Sequence, residues 1–391
     1  MPTHPVTVFA GIPASNLSFF WQIRFAVGDP AALVIEAGGA PGGAGARRTL
    51  IIRDIEVVRA RQSARADEVF APGDFEVAGG LSGDREVATA QALAECLVRR
   101  GVNAVRCDRS LPAVFWHHLA ARGIGVACDV DLGVVERRAK DAQEVGWLRE
   151  AQSVTEQAME MACRTVARAR AGANGVLSHG GSDLTSERLR SIIDIWLLER
   201  GYENPTGIVA GGPQGADCHD HGHGALRTGE PVIIDIFPRN KSTRYWGDCT
   251  RTVVHGGAAA ARPELVRMHA AVVEAKAAAT GATRAGVTGE AVHAATARVM
   301  AEHGFGMGLP TEGERGWCRM THGTGHGIGL EVHEPPLLAA KGPALVAGDA
   351  LTIEPGLYAD DIGGVRVEDM VIVTRDGCDN LNSIPEGLDW A

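Results

Sequence analysis

No run of more than two consecutive lysines or arginines occurs in the 391 residues, and the formal net charge is −10. The electrostatic footprint of a nucleic-acid-binding protein is therefore missing. Long apolar runs are missing too: stretches such as Ala31 to Ile35 fall far short of the roughly 20 residues of a membrane-spanning helix. The opening MPTHPVTVFAGIPASN has neither the basic start nor the long apolar core of a secretory signal, so the expected location is the cytoplasm. Eight cysteines are present without a CxxC pair, which excludes a zinc ribbon or redox motif and leaves small thiols suited to a reducing compartment. No G-x-G-x-x-G follows a strand, so a dinucleotide site is not indicated. No internal repeat is evident.

What is present is the balance of an ordinary globular chain, 45% hydrophobic and 22% charged. The length exceeds one core and predicts two or three domains. LVIE (33–36), TLIIRDIEVV (49–58) and IGVACDV (124–130) read as strands, while Asp84 to Arg100 and Leu111 to Arg122 carry helical apolar spacing. This predicts an α/β N-terminal domain over residues 1–136, with GGAPGGAGARR (38–48) as a flexible loop. From Arg137 the composition shifts to about nine turns of helical pattern, with Val145, Leu148, Val154, Ala158, Ala162 and Val166 on one side. Further helices are predicted over Ser186 to Arg200, Pro263 to Thr280 and Glu290 to His303. The strands PVIIDIF (231–237), RTVVH (251–255), ALTIEPG (350–356) and GVRVEDMVIVT (364–374) complete an α+β domain over 137–391, with helices on one face of an antiparallel sheet.

Chemistry shows first in acids placed where acids are costly. Asp235 lies between Ile234 and Ile236, Glu354 in LTIEPG, and Glu368 in GVRVEDMVIV. A carboxylate in an apolar strand must be paired, hydrogen-bonded or metal-bound. One alone is best read as half of an ion pair; three, with Asp248 in YWGDCTRT as a fourth, point elsewhere. Asp235 and Asp248 stand thirteen residues apart across a polar turn, and Glu354 and Glu368 fourteen apart across GLYADDIGG. Two hairpins can thus aim four carboxylates at one point. Four such charges repel unless cations lie between them, and two divalent ions cancel them formally.

Histidines add nitrogen donors. THGTGHGIGLEVHEPP (321–336) holds His322, His326 and His333 among glycines that allow close backbone approach. ADCHDHGHGALRTG (216–229) adds His219, His221 and His223, a tract that alone carries little weight.

Together these segments resemble the pita-bread metallopeptidases of the creatinase/aminopeptidase superfamily, which include prolidase, Xaa-Pro aminopeptidase, methionine aminopeptidase and the metal-free creatinase. The resemblance runs from about Arg137 to Thr374, and the N-terminal domain looks like that of the prolidase and creatinase relatives. It implies five metal ligands: Asp235 in IIDIF, Asp248 in GDCTRT bridging two ions, His326 seven residues before the VHE histidine, Glu354 in TIEPG, and Glu368 in RVED, also bridging. The Asp–Asp interval is two residues longer than usual for the family, which predicts a longer hairpin tip, and the glycine-rich start before His219 replaces a proline-containing version.

The implied cofactors are two divalent ions (Mn, Co, Zn or Fe), with a water activated between them attacking a carbonyl. Glu354 would also move the proton to the leaving amine, His219 and His333 would serve the substrate carbonyl, and Arg366 would pair a site carboxylate or the substrate's terminal carboxylate. His322 reads equally as a structural histidine or as a substrate contact. His221 and His223 read as loop donors, Tyr245 and Trp246 as pocket wall or core, and Arg251 as a brace for the hairpin. The leading function is hydrolysis of Xaa-Pro bonds in short peptides by a homodimer. The alternatives are hydrolysis of a non-peptide C–N bond in a small amide or osmolyte (ectoine hydrolase- or creatinase-like), and a catalytically dead binding module. Neither nucleic acid nor membrane is an expected partner.

Overall fold

The structure, a computed structural model, describes residues 6–37, 45–205 and 207–391. The chain divides into two compact units, Met1–Arg137 and Arg138–Ala391.

In the first unit a six-stranded mixed sheet carries helices on both faces. Its strand Val6–Gly11 pairs antiparallel with Ala31–Glu36 and parallel with Ala104–Cys107. Side chains alternate across a strand. Val8 and Ala10 therefore pack with Leu93, Leu97 and Phe115 on one face, while Phe9 packs with Phe19, Ile23 and Leu50 on the other. Asp84 starts the helix Arg85–Arg99 by accepting the Val87 N–H, an N-cap. The predicted strand 49–58 is corrected. The strand Arg47–Ile51 stops there, and a 3₁₀ turn Asp54–Glu56 leads into a helix Val57–Ser63. Asp54 accepts the Ile55 N–H, and Ile55 and Val58 are about two-thirds exposed, so their β-branched character serves no sheet. Of the expected loop 38–48, residues 38–44 lie outside the described residues, and Arg47 and Arg48 already belong to the strand.

The second unit opens with the helix Ala142–Ala167, about seven turns and not nine. A capping box sets its start: Asp141 accepts the Glu144 N–H and Glu144 accepts the Asp141 N–H, which leaves 137–141 outside. This helix and Ser186–Leu198 cover one face of the strands Pro231–Ile236 and Cys249–Val254, burying Val232, Ile234, Ile236 and Val253. The helices Pro263–Ala282 and Gly289–Glu302 cover the strands of the second hairpin through Leu357, Val365, Leu351, Ile353 and Val371.

That second hairpin is not two continuous strands. Ala350–Ile353 pairs with Asp369–Val373 in one sheet, and Gly356–Ala359 pairs with Gly363–Arg366 in another. Pro355 has no N–H for a ladder. At the interruption the Glu354 N–H turns to Thr324 O (2.8 Å) and the Glu368 N–H to Thr250 O (3.0 Å). Glu354 and Glu368 thus sit side by side in the gap between sheets, not within strands. The single sheet expected from the sequence is accordingly several short ones.

Candidate metal centre

Strand periodicity aims Asp235. Its neighbours Ile234 and Ile236 face the helices, so Asp235 faces the opposite side, directly across from Thr250. Asp248 follows the hairpin tip, with its backbone clamped by the buried side chain of Gln152: Nε2 donates to Asp248 O (2.7 Å) and Oε1 accepts the Asp248 N–H (2.9 Å). Gly247 lies so close to the same helix that a Cβ would stand 2.2 Å from Thr155 Oγ1. His326 sits in the short strand Gly325–Gly327. The side chains of Asp235, Asp248, His326, Glu354 and Glu368 line one cavity of about 520 Å³.

The distances are short. His326 Nε2 stands 3.3 Å from Glu354 Oε1 and 3.9 Å from Asp248 Oδ2. Ligand atoms of Asp248, His326 and Glu368 all lie within 4.8 Å of one another. Arg366 Nη2 donates to Asp235 Oδ2 (2.7 Å), Nε to Thr250 Oγ1 (3.2 Å), and Nη1 to Tyr358 OH (2.9 Å). Thr250 Oγ1 in turn donates to Glu368 Oε2 (2.7 Å). The structure thus brings Asp235, Asp248, His326, Glu354, Glu368, Arg366, His219 and His333 to one cavity; His221 lines it as well. Arg366 takes the first of its two expected partners, a site carboxylate.

Electrostatics mark the site as incomplete on its own. Burial, and then the charge of Glu368, holds the Asp248 carboxyl well above its usual range; burial and Glu354 do the same to Glu368, and burial raises Glu354. Asp235 Oδ1 is buried without a partner among the described residues. Orphaned carboxylate oxygens beside mutually repelling neighbours are what cations relieve, and four carboxylates with one imidazole form a hard donor set suited to divalent metals. The residues fit such ions.

The histidines are held neutral. Burial lowers the pKa of His326, His322 and His333 alike. A backbone carbonyl 3.1 Å from His326 Nδ1, that of Gly327, favours the proton there and leaves Nε2 free as a lone pair facing the acids. His322 is tied at both ends, Nδ1 to Gly323 O and Nε2 to Tyr358 OH, each at 2.7 Å. His333 stacks edge-on against His326, with ring centroids 4.4 Å apart.

Sequence reasoning missed Gln152, Thr250 and Tyr358. Gln152 falls four residues after Leu148 on the buried stripe of its helix, where a glutamine among apolar residues was the available signal. Thr250 was hidden inside the GDCTRT motif, and nothing in the sequence singles out Tyr358. Arg251 does brace the hairpin. It is fully buried, donates to Thr250 O (2.9 Å) and pairs with Asp369 (2.8 Å), which also meets Lys276.

An α+β pita-bread domain that encloses buried carboxylates and an imidazole defines a class, the metal-dependent hydrolases. Residues 146–375 match metallopeptidase family M24. The chain is 31% identical over 368 residues to the probable dipeptidase PepE of Mycobacterium tuberculosis (strain ATCC 25618 / H37Rv), covering 91% of this chain and 84% of that protein. The crystal structure of dipeptidase PepE from Mycobacterium ulcerans superposes with a TM-score of 0.72 at 27% identity, over 98% of this chain and 92% of the other. In fold the chain also matches X-Pro aminopeptidase from Thermotoga maritima MSB8 (TM-score 0.78, 23% identity, 98% and 96% of the two chains). The chain belongs to metallopeptidase family M24 and is a peptidase whose family uses divalent metal ions. Among the described residues no helix is long and apolar enough to cross a membrane.

Proposed function

We propose that Asp235, Asp248, His326, Glu354 and Glu368 would together hold two divalent ions, and that this peptidase cleaves Xaa-Pro bonds in short peptides. The observation that carries the reading is the convergence itself: His326 Nε2 within 3.3 Å of Glu354 and 3.9 Å of Asp248, beside a carboxylate of Asp235 with one orphaned oxygen. Relatives add support. The Xaa-Pro dipeptidase of Pyrococcus horikoshii is 30% identical over 200 residues, half of this chain.

Ions at such a donor set supply Lewis acidity and bring the pKa of a water toward neutrality. The chain's own groups do the rest. Glu354, half-buried beside His326, accepts the proton of the attacking water and returns it to the leaving nitrogen. His333 and His219, both lining the cavity, donate to the substrate carbonyl oxygen as it gains charge. Arg366 holds Asp235 in place and thereby keeps one acid from rotating out of the cluster. An Xaa-Pro bond offers no N–H and a fixed φ, so the pocket needs an apolar slot and carbonyl donors only. Phe237, Val332 and Leu337 on the cavity wall offer that slot. The proposal extends to a cytoplasmic location and to a homodimer, the latter tested by light scattering on the purified chain.

The deciding experiment compares kcat/KM for Gly-Pro and Ala-Pro with matched Xaa-Ala peptides under Mn²⁺ or Co²⁺, alongside a metal count. A strong Xaa-Pro preference with about two ions per chain is expected. Preference for Xaa-Ala overturns the Xaa-Pro reading, and turnover of N-acylated small amines alone moves the assignment to small-amide hydrolysis.

A further inference from the structure

The segment before the Asp235 strand carries donors of a different chemical character. A 3₁₀ turn, Gly212–Ala216, leads into Asp217, whose N–H bonds Gln214 O at 3.2 Å. Asp217 Oδ1 accepts the His219 N–H (2.9 Å), and the Asp220 N–H returns to Asp217 O (3.2 Å). Successive side chains of an extended strand point to opposite sides. This tight turn instead gathers three in a row: ligand atoms of Asp217, Cys218 and His219 lie within 4.8 Å of one another.

The turn is held from several directions. The Cys218 carbonyl accepts from the buried Arg366 Nη1 (3.3 Å), and the Cys218 sulfur accepts from Thr321 Oγ1 (3.9 Å). Downstream, Gly222 at φ +73° passes so near Val209 that a Cβ would stand 1.8 Å from its carbonyl oxygen, which fixes the loop's return. Cys218 and His219 line the cavity that holds the carboxylate cluster, and Asp217 and His219 are exposed to solvent. One oxygen of Asp217 is engaged with His219 N–H, and its second oxygen remains for a ligand.

Donor type separates this group from the carboxylate cluster. Thiolate, imidazole and a single carboxylate suit a borderline-soft ion such as Zn²⁺, with water as the fourth ligand, whereas Mn²⁺ and Mg²⁺ favour oxygen. Burial raises the pKa of the Cys218 thiol, so its proton leaves to solvent only as the ion displaces it; charge then balances, a divalent ion meeting one thiolate, one carboxylate and one neutral imidazole.

We propose that Asp217, Cys218 and His219 form a further, thiolate-containing site for Zn²⁺-class ions at the cavity, whose occupation inhibits the enzyme by withdrawing His219 from the substrate carbonyl. This rests on the role given above to His219 and on catalysis at the carboxylate cluster. The site makes the peptidase sensitive to the identity of the metal in excess: abundant Mn²⁺ leaves it active, and abundant Zn²⁺ arrests it.

The test uses the Mn²⁺-loaded full-length enzyme. Co²⁺ serves as a spectroscopic probe, because a thiolate bound to Co²⁺ gives a near-ultraviolet charge-transfer band and a carboxylate cluster does not. Wild type is expected to develop the band and to lose activity at least about tenfold with Zn²⁺, but not with equal Mn²⁺. Cys218→Ser is expected to lack the band and to need at least about tenfold more Zn²⁺ for half-inhibition, and the exposed Asp217→Asn to need several-fold more. A band that persists in Cys218→Ser, a band without inhibition, or equal Zn²⁺ sensitivity in wild type and variants overturns the proposal. Failure of the carboxylate-cluster reading is seen separately, as turnover that does not depend on Mn²⁺ at all.

Discussion

Thr250→Val tests how far the cluster depends on groups that never touch metal or substrate. The side chain is fully buried, and valine keeps its shape while removing the hydroxyl. Two contacts vanish: the donation to Glu368 Oε2 at 2.7 Å and the acceptance from Arg366 Nε at 3.2 Å. A hydrogen bond to an ionised group is worth about 1.5–3 kcal/mol. At about 1.4 kcal/mol per decade that corresponds to roughly 10–100-fold, the size expected when an outer partner of a metal ligand is lost. The full loss should fall on metal affinity, because Glu368 is then free to turn away from the cluster. Calorimetric titration of Mn²⁺ into chelator-stripped variant and wild type measures it, with circular dichroism to confirm the fold. Mn²⁺ affinity unchanged within about twofold would refute the reasoning and leave Glu368 positioned by its backbone alone.

His326→Ala should empty the metal site, whereas His333→Ala should keep its metal and lose roughly 10²–10³ in kcat; metal counts and rates measured side by side decide, and the reverse pattern means the two histidines are misassigned. Gln152→Leu leaves the buried Asp248 N–H and carbonyl unpaired at about 1–3 kcal/mol each, so a loss of roughly 2–6 kcal/mol in urea unfolding is expected together with weaker Mn²⁺ binding. Metal-free protein should become more stable as pH falls from about 8 toward 7, above the range where the lowered pKa values of the buried His322, His326 and His333 oppose the gain. The folded-state pKa values of Asp248, Glu354 and Glu368 are raised, so the native state binds more protons than the unfolded chain, and that stability is lost as pH rises through the raised values. Thermal melts with and without Mn²⁺ check this, and a metal-free melt independent of pH over that range contradicts the shifts.

Much of this was legible because burial and chemistry conflict locally. An aspartate between isoleucines in PVIIDIF, or a glutamate in LTIEPG, demands a partner whatever the fold, so Asp235, Glu354 and Glu368 announce themselves in one dimension. Helices carried by a clear apolar stripe, such as Arg85–Arg99 with Ala92, Leu93, Cys96 and Leu97 buried, were equally visible. Elements whose hydrophobicity serves no core misled: Ile55 and Val58 suggested a strand and lie exposed around a short helix.

The residue types of the cluster, their order and the apolar periodicity that drives each segment inward belong to the sequence alone. The interruption between Ile353 and Gly356, which sets Glu354 beside Glu368, required the backbone to find partners at Thr324 and Thr250, distant in the chain. The clamp of Gln152 on Asp248 spans 96 residues, and the Arg366–Asp235 pair spans 131. Local propensity cannot encode such pairings, because a donor and an acceptor far apart in sequence meet only when packing of the whole domain brings them within hydrogen-bond reach.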